Sequence, residues 1–422
     1  MSSALPVECQ TGVDEFGQIS KSQLFYSQRI YEKDLEYEAS ELESLIRIEL
    51  KKIIRPVNDS QKAYYKAIHT QSKDIALLKH RQWLNNNWQK YSGFFAQPQQ
   101  VIPGRILPKL ELIETQRQRD LFRIARLTWN LPFSGGYGRR LNYLIWDKSN
   151  EKLIGILGLQ SPPLSLPARD RKYNIPRENK DYIVNLTMDA FTLGSLPPYS
   201  DLLAGKLIVL AAASKEIRQD YKKRYANRQT NMLGRVLPGK LVAVTTLSAF
   251  GKSSLYNRVS KGIYFEGCTK KVGDREIIIR KGDNIWAAES LGPCEGWGTI
   301  YFSDELYEKM KALHKKILPD KKLSGFGVGP KIRQQVIKRI LRDLRLPQTL
   351  AKHNLKREVF IIPHVENLDA ILSGRSKRPV FNDRPFAELA DYWKERYCLA
   401  RSQNQCSIEG RDMIENALGI EC

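Results

Sequence analysis

Residues 242–258, VAVTTLSAFGKSSLYNR, set hydroxyls, a lysine, an amide and an arginine behind an apolar strand. Gly251, Lys252 and Ser253 read like the end of a P-loop, in which backbone amides cradle phosphates and the lysine reaches the terminal ones. The first glycine of that motif falls at Thr246, and a β-branched side chain disfavours the positive φ that glycine supplies there. No long helix follows, and no apolar strand ending in a metal-binding Asp stands out, so ATP hydrolysis is not expected. Two readings stay open. Thr245, Thr246, Ser248, Lys252, Ser253, Ser254, Tyr256, Asn257 and Arg258 can contact phosphate or sugar oxygens, or they form a capped turn whose hydroxyls bond their own backbone.

A second constellation is basic. Residues 331–346 read as a helix carrying Lys331, Arg333, Lys338, Arg339, Arg342 and Arg345 around Ile332, Val336, Ile340 and Leu344. Followed by a short second helix, it could act as a helix-turn-helix-like reader; lying along a phosphate backbone asks for less. His353 sits beside Lys352, Lys356 and Arg357, where a histidine is either structural or a further anion contact. The aromatics Tyr256, Trp286, Trp297 and Tyr301 are candidates for stacking on bases or for the core.

Three other motifs suggest catalysis. Residues 193–207, LGSLPPYSDLLAGKL, follow a strand and open a buried helix with Ser200 or Asp201 as N-cap. In acetyltransferases of the GNAT type such a junction presents amides to the pyrophosphate of coenzyme A. Pro197 and Pro198 donate no amide, and Gly205 lies within the helix, where it permits close packing. The likeness is one of arrangement, and no cofactor is assigned. Arg169 and Asp170 after the Pro-rich loop could position a phosphate or a catalytic carboxylate, or form a structural ion pair that braces the loop. Asp189, Glu266 and Asp304 border strands, but a metal nuclease needs carboxylates that converge, which spacing does not show. The six cysteines contain no C-x-x-C pair, so reduced thiols are expected and no metal is assigned.

The elements that must position these groups follow from periodicity. Helices are expected at 27–54, ended by Pro56, and at 61–91, with a domain boundary near 105. A helix at about 114–129 precedes a hairpin of strands 141–146 and 152–159 around the turn at 147–150. Strands are then expected at 182–191, 241–247 and 298–302, with an all-round apolar helix at 201–217 and a helix capped by Ser303. A strand at 358–362 and helices at 386–401 and 408–418 complete the chain. The fold class is α/β, with a mixed-sheet core and helical regions at both ends. The expected regions are 1–105, 106–320 and 321–422.

Charge is segregated. Residues 205–281 hold 17 Lys/Arg against 5 Asp/Glu and residues 309–358 hold 15 against 3, out of a net +22. Residues 8–51 are acidic, with ten acids against five bases. Two blocks of this kind attract a polyanion, because each cation that neutralises a phosphate releases a condensed counterion. Nucleic acid, and DNA first, is the partner implied; a solvated basic surface or a scaffold for acidic proteins is the alternative. No apolar run approaches the ~18 residues needed to span a bilayer, and no export signal is visible at the start, so a cytoplasmic protein without a membrane partner is expected.

Several segments in order resemble the DruA family of Druantia, a bacterial anti-phage defence system. They are LIGILGL at 153–159, ARD at 168–170, the 193–207 and 245–258 motifs, GWGTIYF at 296–302, GVGPKIRQQVI at 327–337 and HNLKREVFIIP at 353–363. The likeness runs from about residue 141 to 401. It implies a role in defence against phage DNA beside other defence proteins, including a large helicase-like partner. It supplies no catalytic residues.

Overall fold

The computed structural model describes residues 21–54, 61–131, 136–229, 234–236, 238–249, 253–256, 259, 269–272, 275–278, 287–294, 300, 302–323, 330–352, 357–402 and 411–420. Two long helices, α1 (Lys21–Ile54) and α2 (Gln61–Ser92), open the chain. Strand β1 (Pro108–Leu112) and α3 (Gln116–Leu127) follow, then the hairpin of β2 (Arg140–Asp147) and β3 (Lys152–Gln160). Short helices α4 (Pro167–Lys172) and α5 (Lys180–Val184) lead to β4 (Thr187–Ser195), α6 (Ala204–Ala212), α7 (Lys215–Tyr225) and β5 (Ala243–Leu247). A small hairpin of β6 (Thr269–Val272) and β7 (Arg275–Ile278) precedes β8 (Glu289–Pro293). Next come α8 (Asp304–Ile317), α9 (Pro330–Asp343), β9 (Glu358–Pro363) and α10 (Leu368–Leu372). The end is helical: α11 (Phe386–Trp393), a π turn (Lys394–Cys398), α12 (Leu399–Ser402) and α13 (Arg411–Leu418).

The chain divides into two compact units. One comprises Met1–Arg55, Phe302–Phe326 and Ile332–Lys352; the other holds the rest. In the first, Ala39, Leu42 and Ile46 of α1, Leu306, Met310 and Ile317 of α8, and Val336, Ile337, Ile340, Leu341 and Leu344 of α9 are buried at helical spacing. The Ser303 hydroxyl accepts from the Leu306 amide at 3.2 Å and starts α8, while Glu49 accepts from the Ser303 hydroxyl at 2.8 Å.

The second unit is built on a seven-stranded mixed sheet in the order β1-β2-β3-β4-β5-β9-β8. β4 and β5 pair in parallel; their neighbours and the other pairs are antiparallel. One sheet face packs on α6 and α11 through Met188, Val244, Phe360 and Ile362. The other is covered by α2 and α3 around Leu144 and Ile156, and by α5 and α10 around Ala243 and Ile361. Every residue of α6 is buried, as an all-round apolar sequence requires.

Three expected elements differ. Residues 182–184 belong to α5, because Ile183 and Val184 dock as one helical turn and Asn185 Nδ2 caps the Asp181 carbonyl at 2.7 Å; the strand starts at Thr187 and runs to Ser195. The helix expected at 201–217 is two helices separated at buried Ser214. The strand expected at 298–302 lies largely outside the described residues, its described members Ile300 and Phe302 are not in a strand, and the edge position is taken by β8.

Candidate nucleic-acid interface

The parallel pairing of β4 and β5 makes a switch point in the sheet, and ligands of open α/β sheets bind outside the carboxyl ends of strands at such points. Two motifs meet there. The 193–207 motif runs from β4 into α6, and the 245–258 motif leaves β5 across the start of α6. Lys206, buried in the first turn of α6, donates from Nζ to the Ser254 carbonyl at 2.9 Å and the Leu255 carbonyl at 3.4 Å. A Cβ on Gly205 would meet Leu255 Cδ1 at 2.4 Å, so glycine here permits close approach. Tyr256 stacks on Phe360 at 4.2 Å between ring centroids, and its hydroxyl lies 3.3 Å from Thr246 Oγ1. Burial pushes the Tyr256 phenol up to about 12.

The amides of this junction are used locally. Those of Ser200, Asp201, Leu202, Leu203, Ala204 and Lys206 donate to carbonyls between Leu196 and Leu203. A pyrophosphate would have to displace these bonds as well as the overlying Leu255.

On the opposite sheet face a polar row crosses three strands. Gln160 Nε2 donates to Asp189 Oδ2 at 2.9 Å, and Thr245 Oγ1 donates to Asp189 Oδ1 at 2.9 Å, all three residues being buried. Arg169 is fully buried, its guanidinium bidentate on Asp170 Oδ1 and donating to the Pro163 and Leu164 carbonyls, with Nη1 unmatched. Tyr137 feels both Asp189 and Arg169, and burial with the Asp189 charge lifts its phenol to about 12. Arg357 at the start of β9 is half-buried, and burial lowers its pKa against the opposing charges of Cys294 and Asp189.

Of the residues singled out beside β5, Thr245, Thr246, Ser248 and Tyr256 are buried. Ser248 bridges to β9, its hydroxyl accepting from the Glu358 amide at 2.8 Å. Ser253 is half-buried and Ser254 exposed. Lys252, Asn257, Arg258, His353 and Lys356 lie outside the described residues, as do Glu266, Trp286, Trp297 and Tyr301. Lys331 sits in the first turn of α9, just before the part of that helix that belongs to the helical unit. Arg333 is nearly buried, holding Asp304 and the Phe302 and Ser303 carbonyls, and stacks on Tyr307 at 4.3 Å. Lys338 and Arg339 are half-buried and Arg342 is exposed. Asp189 and Asp304 therefore belong to different units, and among the described residues no group of three His, Cys, Asp or Glu gathers as a metal site.

Sequence reasoning did not name the cations of α8 and its following turn. Lys309, Lys315, Lys316, Lys321 and Lys322 are exposed, opposite buried Leu306, Met310, His314 and Ile317. The helical spacing of those buried positions was the available signal. His314 Nε2 lies 3.0 Å from Asp343 Oδ2, and Lys321 and Arg342 reach the same carboxylate. Burial opposes ionisation of Asp343, but these three donors outweigh it and hold its pKa below the usual carboxylate value.

Fold and surface define a basic, mixed-sheet α/β protein with an added helical unit. The family profile described as Druantia protein DruA matches residues 58–374. A Druantia protein DruA of Escherichia coli (strain UMEA 4076-1) is 33% identical over 343 residues, which is 80% of this chain and 79% of that protein. The chain belongs to the DruA family of the Druantia anti-phage defence system. The profile begins at residue 58, so α2 lies inside the family region, although the motifs legible in sequence begin near 141. No solved structure matches the chain. Among the described residues no helix is long and apolar enough to cross a membrane.

Proposed function

We propose that this chain serves the Druantia system by engaging nucleic acid, DNA first, through basic surfaces that bind phosphate and sugar with little regard to sequence. The observation that carries this reading is the outward display of the second basic block. Lys309, Lys315, Lys316, Lys321, Lys322, Arg342 and Arg345 are all exposed on one helical unit. Some meet carboxylates, as Lys309 meets Glu305 and Lys316 meets Glu38, yet the block keeps its excess of 15 bases over 3 acids. The first block contributes Ser254 and, in sequence, Lys252 and Arg258. Other Druantia proteins, including a large helicase-like one, act on the DNA so held.

The test is Arg339→Ala with Arg342→Ala. DNA affinity should fall, with the salt slope reduced by roughly one unit per lost phosphate contact, and phage protection should fall with it. A variant that binds DNA like the parent yet loses protection would assign the basic face to an acidic protein partner.

One observation favours a second reading, an enzyme in the sheet unit. Gln160 Oε1, Arg169 Nη1 and Thr192 Oγ1 of the sheet unit are buried without partners, Gln160 being the residue bonded to the Asp189 carboxylate, and buried polar groups left unmatched mark sites that a ligand can complete. The parallel β4 and β5 strands followed by loop and helix fit a GNAT-like arrangement, although the loop amides are already bonded. Turnover of nucleic acid or an acyl donor that stops in Asp189→Asn while DNA affinity persists would establish this second activity.

A further inference from the structure

We infer that α2 and α3 form a third basic face, outside both charge blocks, that meets the phosphate backbone of duplex DNA; the inference rests on the nucleic-acid reading above. The two helices lie in the sheet unit and pack together, the Tyr91 hydroxyl donating to Asp120 Oδ2 at 2.8 Å. Together they carry 10 Lys/Arg against 2 Asp/Glu. One of the two acids, Asp120, is buried and engaged by Tyr91, Gln116 and Arg123. The other, Asp74, is exposed.

Geometry gathers the cations. Lys79, Trp83 and Lys90 recur at spacings of four and seven residues along α2, so they share a stripe. Lys79 and Lys90 are exposed and about 16 Å apart at 1.5 Å per residue, enough to follow several phosphates of one strand. The Arg123 guanidinium of α3 lies 4.4 Å from the Trp83 ring centroid, which ties the two helices' charges together, and Arg117 lies 4.6 Å from Phe94. Arg117 and Arg119 are exposed beside them. Beside them, burial first and then the charges of Arg123 and Lys79 lower the pKa of His80.

The aromatic rings point to duplex over single strand. Trp83 is covered by Arg123 and stacks with Tyr91 at 6.3 Å, while Phe94 is covered by Arg117 and edged by Trp146 at 5.9 Å. Ring faces occupied by cations do not offer the base stacking on which sequence-tolerant single-strand binding relies. What this surface presents is charge, and a duplex carries it at the higher density. The sequence hid the face because the two helices are separated by 23 residues and because the acidic stretch 8–51, ten acids against five bases, offsets the cations of α2 in a count over residues 1–105.

The test is a salt titration of duplex binding by Lys79→Gln/Lys90→Gln/Arg117→Gln, with Asp74→Asn as the companion on the same helix. The triple variant should lose at least roughly tenfold in affinity and about two to three units of salt slope, while Asp74→Asn binds as well as the parent or better. Should the triple variant melt early, Lys79→Gln/Lys90→Gln alone, which leaves the Arg117 contact with Phe94 in place, should still lower the slope by about two units. A parent that binds duplex and a variant that matches it in affinity and slope overturns the third face and leaves the nucleic-acid reading standing. A parent without salt-dependent DNA binding overturns both. Tighter binding of the parent to single strand than to duplex contradicts the assignment to duplex.

Discussion

The segment formed by β5 with the loop after it and the helix α9 both hold candidate phosphate contacts, and they use them in opposite ways. Thr245, Thr246, Ser248 and Tyr256 turn inward, where they join β4, β5 and β9 by hydrogen bonds, whereas Arg342 and its neighbours on α8 turn outward. A hydroxyl can be satisfied inside a protein by one carbonyl or carboxylate, but a cation can be buried only at high cost unless paired. Residue type therefore says more about the location of the basic block than of the hydroxyl block. The inward groups hold the sheet together; the outward ones are available to a polyanion.

This contrast predicts effects of graded size. Arg169→Met, which removes a fully buried guanidinium and leaves Asp170 and two carbonyls short of donors, should destabilise by about 3–5 kcal/mol in denaturant unfolding. A loss below about 1 kcal/mol would mean that the group is not buried as described. Thr245→Val keeps the shape and removes one donor to Asp189, so about 1–3 kcal/mol should be lost while DNA affinity is unchanged. At the small end, Arg339→Ala with Arg342→Ala should shift stability by no more than about 1 kcal/mol per site, because exposed Arg342 is only one of three donors to Asp343, while DNA binding should weaken. If the order of these stability effects were inverted, the assignment of inward and outward roles would be wrong.

Acid stability offers a further check within the sheet unit. His364 is buried near Arg218 and Arg384, and burial, then those charges, lower its pKa to about 3. The unfolded chain titrates this group near ~6.5 and so takes up the proton first as pH falls. Its contribution to stability is complete above about pH 6.5 and is lost progressively down to about 3. His364→Gln should flatten that part of the stability profile. An unchanged profile would show that other groups carry the whole acid response.

Much of the fold was legible because its signals are local. The Asp147 turn, where the carboxylate accepts from the Ser149 amide and hydroxyl, announces the β2–β3 hairpin, and Thr115 with Gln118 forms the capping box that opens α3. Pro330 marks the first turn of α9. What sequence could not reveal were relations between distant segments. Nothing in residues 193–207 or 245–258 alone says that Lys206 will be used to hold the Ser254 carbonyl. Five of the candidate phosphate contacts, Lys252, Asn257, Arg258, His353 and Lys356, lie outside the described residues, so their roles rest on the charge argument.

The central claim, that this DruA-family chain engages DNA electrostatically, is tested most directly by the affinity of the unaltered protein for DNA of unrelated sequences across a salt series. Log affinity should fall linearly with log salt. The loss should be at least roughly tenfold between about 50 and 200 mM, with little difference between sequences. A flat response to salt, or no binding at the lowest salt, would contradict it.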